Sequence, residues 1–143
     1  MNITKEMMKI SMLFGIITGV IALIPPFIFY SLLILFLFAS IAVVLYYRRI
    51  EKFELTDSKD TALKGGIIGF ISFLSYIAVF VPCVLVLSFI FKGYYNYGLP
   101  YFLSLQAFWL FILILVVVGI ICAVTNGVTL MGLQSVELLR KGK

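Results

Sequence analysis

The side chains that could do chemistry in this sequence are few, and the most concentrated group is an acidic cluster near the middle of the chain. Glu51, Glu54, Asp57 and Asp60 fall within one short polar segment. Carboxylates at such spacing are potential ligands for a divalent cation. Lysines alternate with them, however, and balance their charge. The pattern therefore favours a solvated charged segment over a metal site.

The two cysteines and the lack of histidine narrow the possible chemistry further. Cys83 and Cys122 both lie inside apolar runs, and their spacing fits neither a metal site nor a redox pair. The chain has no histidine, which excludes histidine-dependent acid–base catalysis. It contains no Walker loop, dinucleotide-binding fingerprint or nucleophile elbow. We therefore expect no cofactor and no enzymatic activity.

Two amide side chains, Gln106 and Asn126, occur in otherwise apolar surroundings. An amide in an apolar medium needs hydrogen-bond partners, so both are predicted to make interhelical contacts. The serines and threonines of the apolar segments can bond their own helix backbone instead. None of those segments contains Asp, Glu, Lys, Arg or His, which argues against a proton-coupled pump.

Composition sets the class of protein. Hydrophobic residues make up 64% of the chain and charged residues 12%, against roughly 45–50% and about 25% in soluble domains. A bilayer is the solvent in which so much apolar surface is stable. We interpret residues 1–143 as one integral membrane domain. The net charge of +5 does not indicate nucleic-acid binding, because the basic residues flank apolar segments.

The only long polar stretch, Arg48 to Lys64, divides the chain into two pairs of predicted spans. Pro25-Pro26 breaks the first pair, since proline cannot donate in a helix interior. Pro82 predicts a kink in the third span. The expected fold is all-α, an integral membrane four-helix bundle with a cytoplasmic central connector. The predicted spans cover residues 10–25, 27–47, 66–91 and 104–127.

The C-terminal segment has its own pattern. Asn126-Gly127 is a dipeptide that can break or bend a helix. After it, Leu130, Leu133, Val136 and Leu139 recur at helical spacing, and basic residues close the chain. This pattern predicts an amphipathic C-terminal helix that lies on, or rises out of, the inner membrane surface.

The basic residues also predict orientation. Of the 11 lysines and arginines, all but Lys92 fall in the N-terminal lead, the central segment and the tail. Short loops rich in these residues remain in the cytoplasm. Both termini are therefore expected to be cytoplasmic, in the cell membrane.

Small residues at four-residue spacing predict where helices pack closely. With the orientation above, these residues fall in the inner half of the bilayer, and phenylalanines populate the outer half. We therefore expect tight inner packing and a splayed, lipid-accessible outer side. An offset of 50 residues also aligns two of the pairs, as either a duplication or a convergent packing pattern. The predicted packing residues are Gly15, Gly19, Gly65, Gly69, Gly119, Ala123 and Gly127.

Two further groups are candidate contact sites. The loop before the fourth span is rich in tyrosine, which is typical of an interfacial aromatic belt or of a platform for a lipid, sugar or protein partner. The central segment is a candidate cytoplasmic docking surface. The belt consists of Tyr94, Tyr95, Tyr97 and Tyr101, and the docking candidates are Arg48, Arg49, Asp57 and Asp60.

These features favour a non-enzymatic membrane protein that acts as an interaction or assembly module, or as a subunit of a larger complex. Its expected partners are membrane lipids and either another protein or a second copy, bound through helix faces. The alternative is a homo-oligomeric channel or carrier for a small apolar or amphipathic solute or lipid, with a path lined by Ser72, Ser75, Gln106 or Asn126. A lipid-modifying enzyme would need catalytic groups in the central segment, such as Asp57 or Asp60.

Overall fold

The protein is described by a computed structural model that covers residues 4–50, 55, 57–91 and 107–142. Of these residues, 92% are helical, which confirms the all-α class. The described residues form four α-helices and one turn of 3₁₀-helix. The helices are α1 (Lys5–Ile21), α2 (Ile28–Ile50), α3 (Ser58–Ile90) and α4 (Phe108–Lys141), and the 3₁₀ turn is Pro25–Phe27.

Three helical segments of the described chain are long and apolar enough to cross a membrane: Pro25–Ile50, Ser58–Ile90 and Phe108–Lys141. Their mean hydropathies are 2.8, 2.5 and 3.0. The first helix, α1, has 17 residues and is about 26 Å long. It begins at Lys5 and ends at Ile21, earlier at both ends than the span predicted over residues 10–25.

The break predicted at Pro25-Pro26 is present. The chain leaves α1 through short-range bonds, from Leu23 N–H to Val20 O at 3.1 Å and from Ile24 N–H to Ile21 O at 3.2 Å. The prolines then open the 3₁₀ turn, where their missing N–H groups leave no hydrogen bond unmade. The helix α2 follows at once, so α1 and α2 form a tight hairpin.

The long helices differ from the predicted boundaries. The helix α3 begins at Ser58, eight residues before the predicted span, and continues across Pro82. The helix α4 continues through Asn126-Gly127 to Lys141 without a break. A C-terminal helix separated from the fourth span at Asn126-Gly127 is therefore wrong, whereas a tail that rises out of the inner membrane surface stays a prediction. Asparagine and glycine lower helix propensity by only about 0.7–1 kcal/mol each, and tertiary contacts described below hold both residues in the helix.

The predicted apolar face of the tail is only partly buried by tertiary contacts. Leu130 is fully buried, whereas Val136 and Leu139 are 63% and 74% exposed. The tail of α4 packs along the other helices through Leu130 and Gln134 instead. The repeat of apolar residues thus belongs to the continuation of α4, and only part of it packs against the other helices.

The third helix is central to the packing. It contacts α1, α2 and α4, and α2 also contacts α1 and α4. The buried apolar residues form two clusters, one toward the α1–α2 turn and one toward the opposite end. The first consists of Ala22, Leu35, Ala39, Phe73, Tyr76, Phe80, Val84 and Cys122. The second consists of Met7, Val43, Val44, Tyr47, Leu55, Ile68 and Leu130.

Candidate functional site

The most specific polar arrangement in the described chain centres on Asn126, which lies in α4 and is fully buried. Its Oδ1 accepts a hydrogen bond from the backbone N–H of Ser40 in α2 at 2.8 Å. Its Nδ2 donates to the carbonyl oxygens of Leu35 and Phe36, each at 3.0 Å. In a regular α-helix the N–H of residue 40 pairs with the carbonyl of residue 36. The amide of Asn126 thus binds both the N–H and the C=O group that a regular helix would pair with each other at this position of α2.

Ser40 completes this contact from the other side. Its Oγ donates to the backbone oxygen of Asn126 at 2.9 Å and lies 3.3 Å from Thr129 Oγ1. Thr129 Oγ1 in turn donates to the Asn126 oxygen at 3.1 Å. Each of these groups would be costly to bury alone in an apolar medium. Together they form a closed set of hydrogen bonds between α2 and α4.

One turn before Asn126, Cys122 extends the contact to α3. Its Sγ lies 3.6 Å from Gly69 O in α3 and 3.9 Å from Leu35 O in α2. A Cβ atom on Gly69 would lie 2.7 Å from Asn126 Cβ, so α3 can approach here only because residue 69 is glycine. We refer to Ser40, Cys122, Asn126 and Thr129, with Gly69 facing them, as the polar junction.

Further glycines bring α3 and α4 together toward the next turn. A Cβ on Gly65 would lie 2.6 Å from Asn126 O, and a Cβ on Gly127 would lie 2.9 Å from Ala62 O. Cβ atoms essentially never approach other atoms so closely, so neither position accepts a side chain without a shift of backbone. Ala123 lies beside this contact, with its carbonyl oxygen 3.5 Å from the Cβ position of Gly66.

The contact of α1 with α3 depends on Gly15 in the same way. A Cβ there would lie 2.1 Å from Ser72 O. Beside it, Ser72 Oγ donates to Ser11 O at 3.0 Å. A Cβ on Gly19 would lie 3.1 Å from Tyr76 O, and one on Gly119 would lie 3.2 Å from the rings of Phe70 and Phe73.

The contacts of these glycines can be compared with the internal repeat that the 50-residue offset suggested. The aligned pairs, Gly15 with Gly65 and Gly19 with Gly69, do not face equivalent helices. The glycines of α1 pack on α3, and those of α3 pack on α4. A parallel repeat of two helices would place both pairs inside equivalent hairpins. The geometry therefore favours a convergent packing pattern.

At the end of the molecule that holds the charged residues, polar contacts link all four helices. Arg48 at the end of α2 binds Glu137 of α4 through both terminal nitrogens, with Nη2 at 3.0 Å from Oε2. Thr4 Oγ1 donates to Tyr47 Oη at 3.0 Å, which joins the start of α1 to α2. Gln134 Nε2 donates to Leu55 O at 3.4 Å.

The predicted docking residues divide into two kinds. Arg48 is paired with Glu137, and Asp60 binds Lys64 one turn along α3 at 2.5 Å. Arg49 and Asp57 are exposed. The predicted aromatic belt, Tyr94, Tyr95, Tyr97 and Tyr101, lies outside the described residues, as does the predicted interhelical amide Gln106.

Sequence reasoning assigned no special role to Ser40, Gln134 or Glu137. Ser40 lacks any local pattern that separates it from serines bonded to their own helix. Glu137 could have been noticed as the only acidic residue after Asp60. Its partner, 89 residues away, could not.

Two apolar grooves run between α3 and α4. The larger has a volume of about 500 Å³, and the smaller one, bordered by Phe73 and Leu115, has about 170 Å³. The larger groove lies on the half that was expected to be tightly packed. We call it the α3–α4 groove; its walls are Leu63, Ile67, Phe70, Val124, Val128 and Met131, and its floor is Ala62, Gly66, Ala123 and Gly127.

Within the described parts of the chain, no group of three or more His, Cys, Asp or Glu side chains could hold a metal ion. No family model matches the sequence, and no curated protein or solved structure shows significant similarity to it. The site must therefore be interpreted from its own geometry.

Proposed function

We propose that this protein is a non-enzymatic integral membrane module that acts as an interaction or assembly subunit of a membrane complex. In this proposal its helices form a four-helix bundle in the cell membrane, with both termini in the cytoplasm. The charged ends of the helices carry the docking residues that remain exposed, and apolar helix faces contact lipids and a partner protein.

The polar junction is the observation that carries this proposal. Asn126 uses both polar atoms of its side chain to bind α2, and Ser72 donates its hydroxyl to α1. These are two of the residues expected to line a path if the protein were a channel or carrier for a small apolar or amphipathic solute or lipid. Their engagement between helices favours a rigid scaffold, because interhelical hydrogen bonds fix the relative register of packed helices.

The surface of α4 supports a role in assembly. Only 11% of the most apolar window of α4 is buried, compared with 33% and 22% for the other two candidate spans. Trp109 is 77% exposed and Leu113 is 59% exposed. A helix that is apolar on all sides requires lipid or another helix around it. The early part of α4 thus presents an exposed apolar face to a partner helix.

The position of the charges supports the proposed orientation. Basic residues occur at the starts of α1 and α3 and at the ends of α2 and α4. The contacts Thr4–Tyr47, Arg48–Glu137 and Leu55–Gln134 bring these four ends together. The basic residues of the described chain therefore belong to one end of the proposed bundle, which is the side that the positive-inside rule assigns to the cytoplasm.

The length of α1 is compatible with a fourth crossing. Its ~26 Å falls slightly short of a hydrocarbon core of ~30 Å. The apolar residues between Ile21 and Ile28 include the 3₁₀ turn and extend the hairpin beyond the end of the helix. A short span can also be accommodated by local thinning of the bilayer at a modest cost.

The experiment that tests this function is native mass spectrometry of the protein after gentle extraction from its own membrane. We expect the chain to remain bound to a different polypeptide. A homo-oligomer that carries a small solute and takes it up into liposomes would overturn the proposal in favour of the channel or carrier. A parallel extraction in a detergent that dissociates membrane complexes gives the mass of the chain alone as a control.

A further inference from the structure

The α3–α4 groove has a distinct construction. Its floor is closed, because Gly127 and Ala62 meet there within van der Waals contact and the backbones leave no gap. Its walls are large apolar side chains, of which Leu63 and Val128 are 57% and 62% exposed. The result is an open apolar channel along the surface, and its volume of about 500 Å³ lies within the range of small-molecule sites.

The antiparallel register of α3 and α4 shows what lies at the end of this groove. Gly65 faces Asn126 and Gly127, and the carbonyl of Leu55 meets Gln134. Between these two contacts, Lys59 falls level with Met131, the last residue of the groove wall. Lys59 precedes Ala62 by three residues and Leu63 by four, so it lies on the face of α3 that lines the groove.

Lys59 provides a positive charge at this end that has no ion-pair partner among the described residues. It is exposed, and its nearest acidic neighbour along the helix, Asp60, is bound by Lys64 at 2.5 Å. Asp57 lies outside α3, as its N-cap residue with extended backbone. An anionic group at the end of the groove would thus meet Lys59, and Asp60, the acidic residue of α3 nearest to it, is already bound by Lys64. From α4 the groove end presents the thioether of Met131.

The shape favours a single acyl chain over a helix as the occupant. A helix with its side chains is about 10–12 Å across and would have to rest on the two walls. On the floor, Gly127 is already used in the contact of α4 with Ala62 of α3, which limits how closely a third backbone can approach there. A narrow linear hydrocarbon can instead lie along the floor between the walls and bury its surface fully.

We propose that the α3–α4 groove binds one acyl chain of an anionic phospholipid, whose phosphate is held by Lys59. The groove and Lys59 together place the headgroup at the charged end of the bundle, where an anionic leaflet surface lies in the proposed orientation. This inference rests on the membrane placement of the proposed function and is independent of its role in assembly.

The test uses the full chain in vesicles of equimolar phosphatidylglycerol and phosphatidylcholine, followed by gentle extraction and native mass spectrometry. We expect one phosphatidylglycerol to be retained per chain, in preference to phosphatidylcholine. Lys59→Gln should reduce this preference by about fivefold, since one lysine near an anionic surface contributes about 1 kcal/mol. Lys59→Arg should retain it.

A second variant tests the groove itself. Gly66→Leu places a side chain on the floor, where its Cβ would make only an ordinary contact of 3.5 Å with Ala123 O. It should reduce the retention of both lipids. Gly132→Leu and Arg49→Gln are matched controls, because Gly132 faces open space and Arg49 is exposed outside the groove. Both controls should bind lipid as the parent chain does.

The outcomes separate the two proposals. If the chain inserts into the vesicles but Lys59→Gln and Gly66→Leu retain phosphatidylglycerol as the parent does, the lipid site is wrong and the proposed function stands. A lipid-free dimer that Gly66→Leu abolishes would assign the groove to a second copy instead. Failure to insert, seen by flotation of the vesicles, would remove the membrane placement on which both proposals depend.

Discussion

Asn126 acts in this fold as a substitute for a peptide group. Its amide oxygen accepts a hydrogen bond from the Ser40 N–H of α2, and its amide nitrogen donates one to the Phe36 carbonyl of α2. In a membrane interior neither water nor lipid can provide these bonds, so a polar side chain between helices has to find them in protein. The residue thereby ties α4 to one register on α2.

Replacing Asn126 by alanine should lower the free energy of unfolding by about 1–3 kcal/mol, because the contact with α2 is lost and a small cavity remains. Thr125→Ala is the matched control. The Thr125 hydroxyl donates to the carbonyls of Ile121 and Cys122 in its own helix, and its removal should change stability by less than about 0.5 kcal/mol. Equal effects of the two substitutions, measured by denaturation in detergent, would contradict this role for Asn126.

The ion pair of Arg48 and Glu137 is expected to couple the end of α2 to α4. The two side chains are 24% and 30% exposed, and two parallel hydrogen bonds join them. We predict a coupling energy of about 0.5–1 kcal/mol in a double-mutant cycle of Arg48→Gln and Glu137→Gln. The exposed pair Lys9–Glu6 is the control, and its cycle should give a value near zero. Equal coupling in both cycles would show that the two hydrogen bonds contribute nothing specific.

Among the helices, small residues decide how closely the backbones approach. Gly15 and Gly132 both lie in α-helices, and only Gly15 has a second glycine, Gly19, four residues away. Their surroundings differ completely: Gly15 is pressed against the backbone of Ser72, whereas a Cβ on Gly132 would meet no atom within 4 Å. The same residue type is therefore required by packing at one position and carries only its entropic cost at the other.

Gly15→Ala should destabilise the protein by at least about 1–3 kcal/mol, since a Cβ there forces α1 away from α3. Gly132→Ala should leave stability unchanged or raise it by up to about 1 kcal/mol, because alanine is the better helix former. Thermal unfolding in detergent, followed by circular dichroism, measures both. A stable Gly15→Ala variant would mean that α1 does not pack on α3 as described.

Contacts between helices also decide that α4 is continuous. Asparagine and glycine in sequence are typical of a helix end, yet α4 passes through Asn126-Gly127 to Lys141. Asn126 finds its partners on α2, and Gly127 allows Ala62 of α3 to approach. Two contacts from different helices therefore outweigh a weak local preference for a turn.

For the molecule as a whole, the topology is predicted by the basic residues at the starts of α1 and α3 and at the ends of α2 and α4. Epitope tags at either terminus should be inaccessible to antibody in intact cells and accessible after permeabilisation, because both ends belong to the basic side. A tag inserted at Asn96, in the predicted outer loop, serves as the opposite control and should be accessible without permeabilisation. Terminal tags that bind antibody on intact cells would reverse the orientation.

Composition and the order of residues alone determined the class and the elements of this protein. Long apolar runs in which backbone groups can bond only within their own segment require helices, and Pro25-Pro26 interrupts the first of them wherever the helices lie. The sequence also showed which residues were small enough for close contact and that the basic residues occur at alternate helix ends. These properties depend on residue type and spacing along one chain.

Only the tertiary structure decided which groups meet. Asn126 contacts Ser40, 86 residues away, and Arg48 contacts Glu137 across 89 residues. The tertiary structure also placed the larger apolar groove between α3 and α4, on the half of the molecule that was expected to be tightly packed. Such contacts depend on the relative rotation and register of helices. In a largely uniform apolar sequence many rotations satisfy the same hydropathy pattern, so the choice among them is made by a few polar groups and glycines once the helices pack.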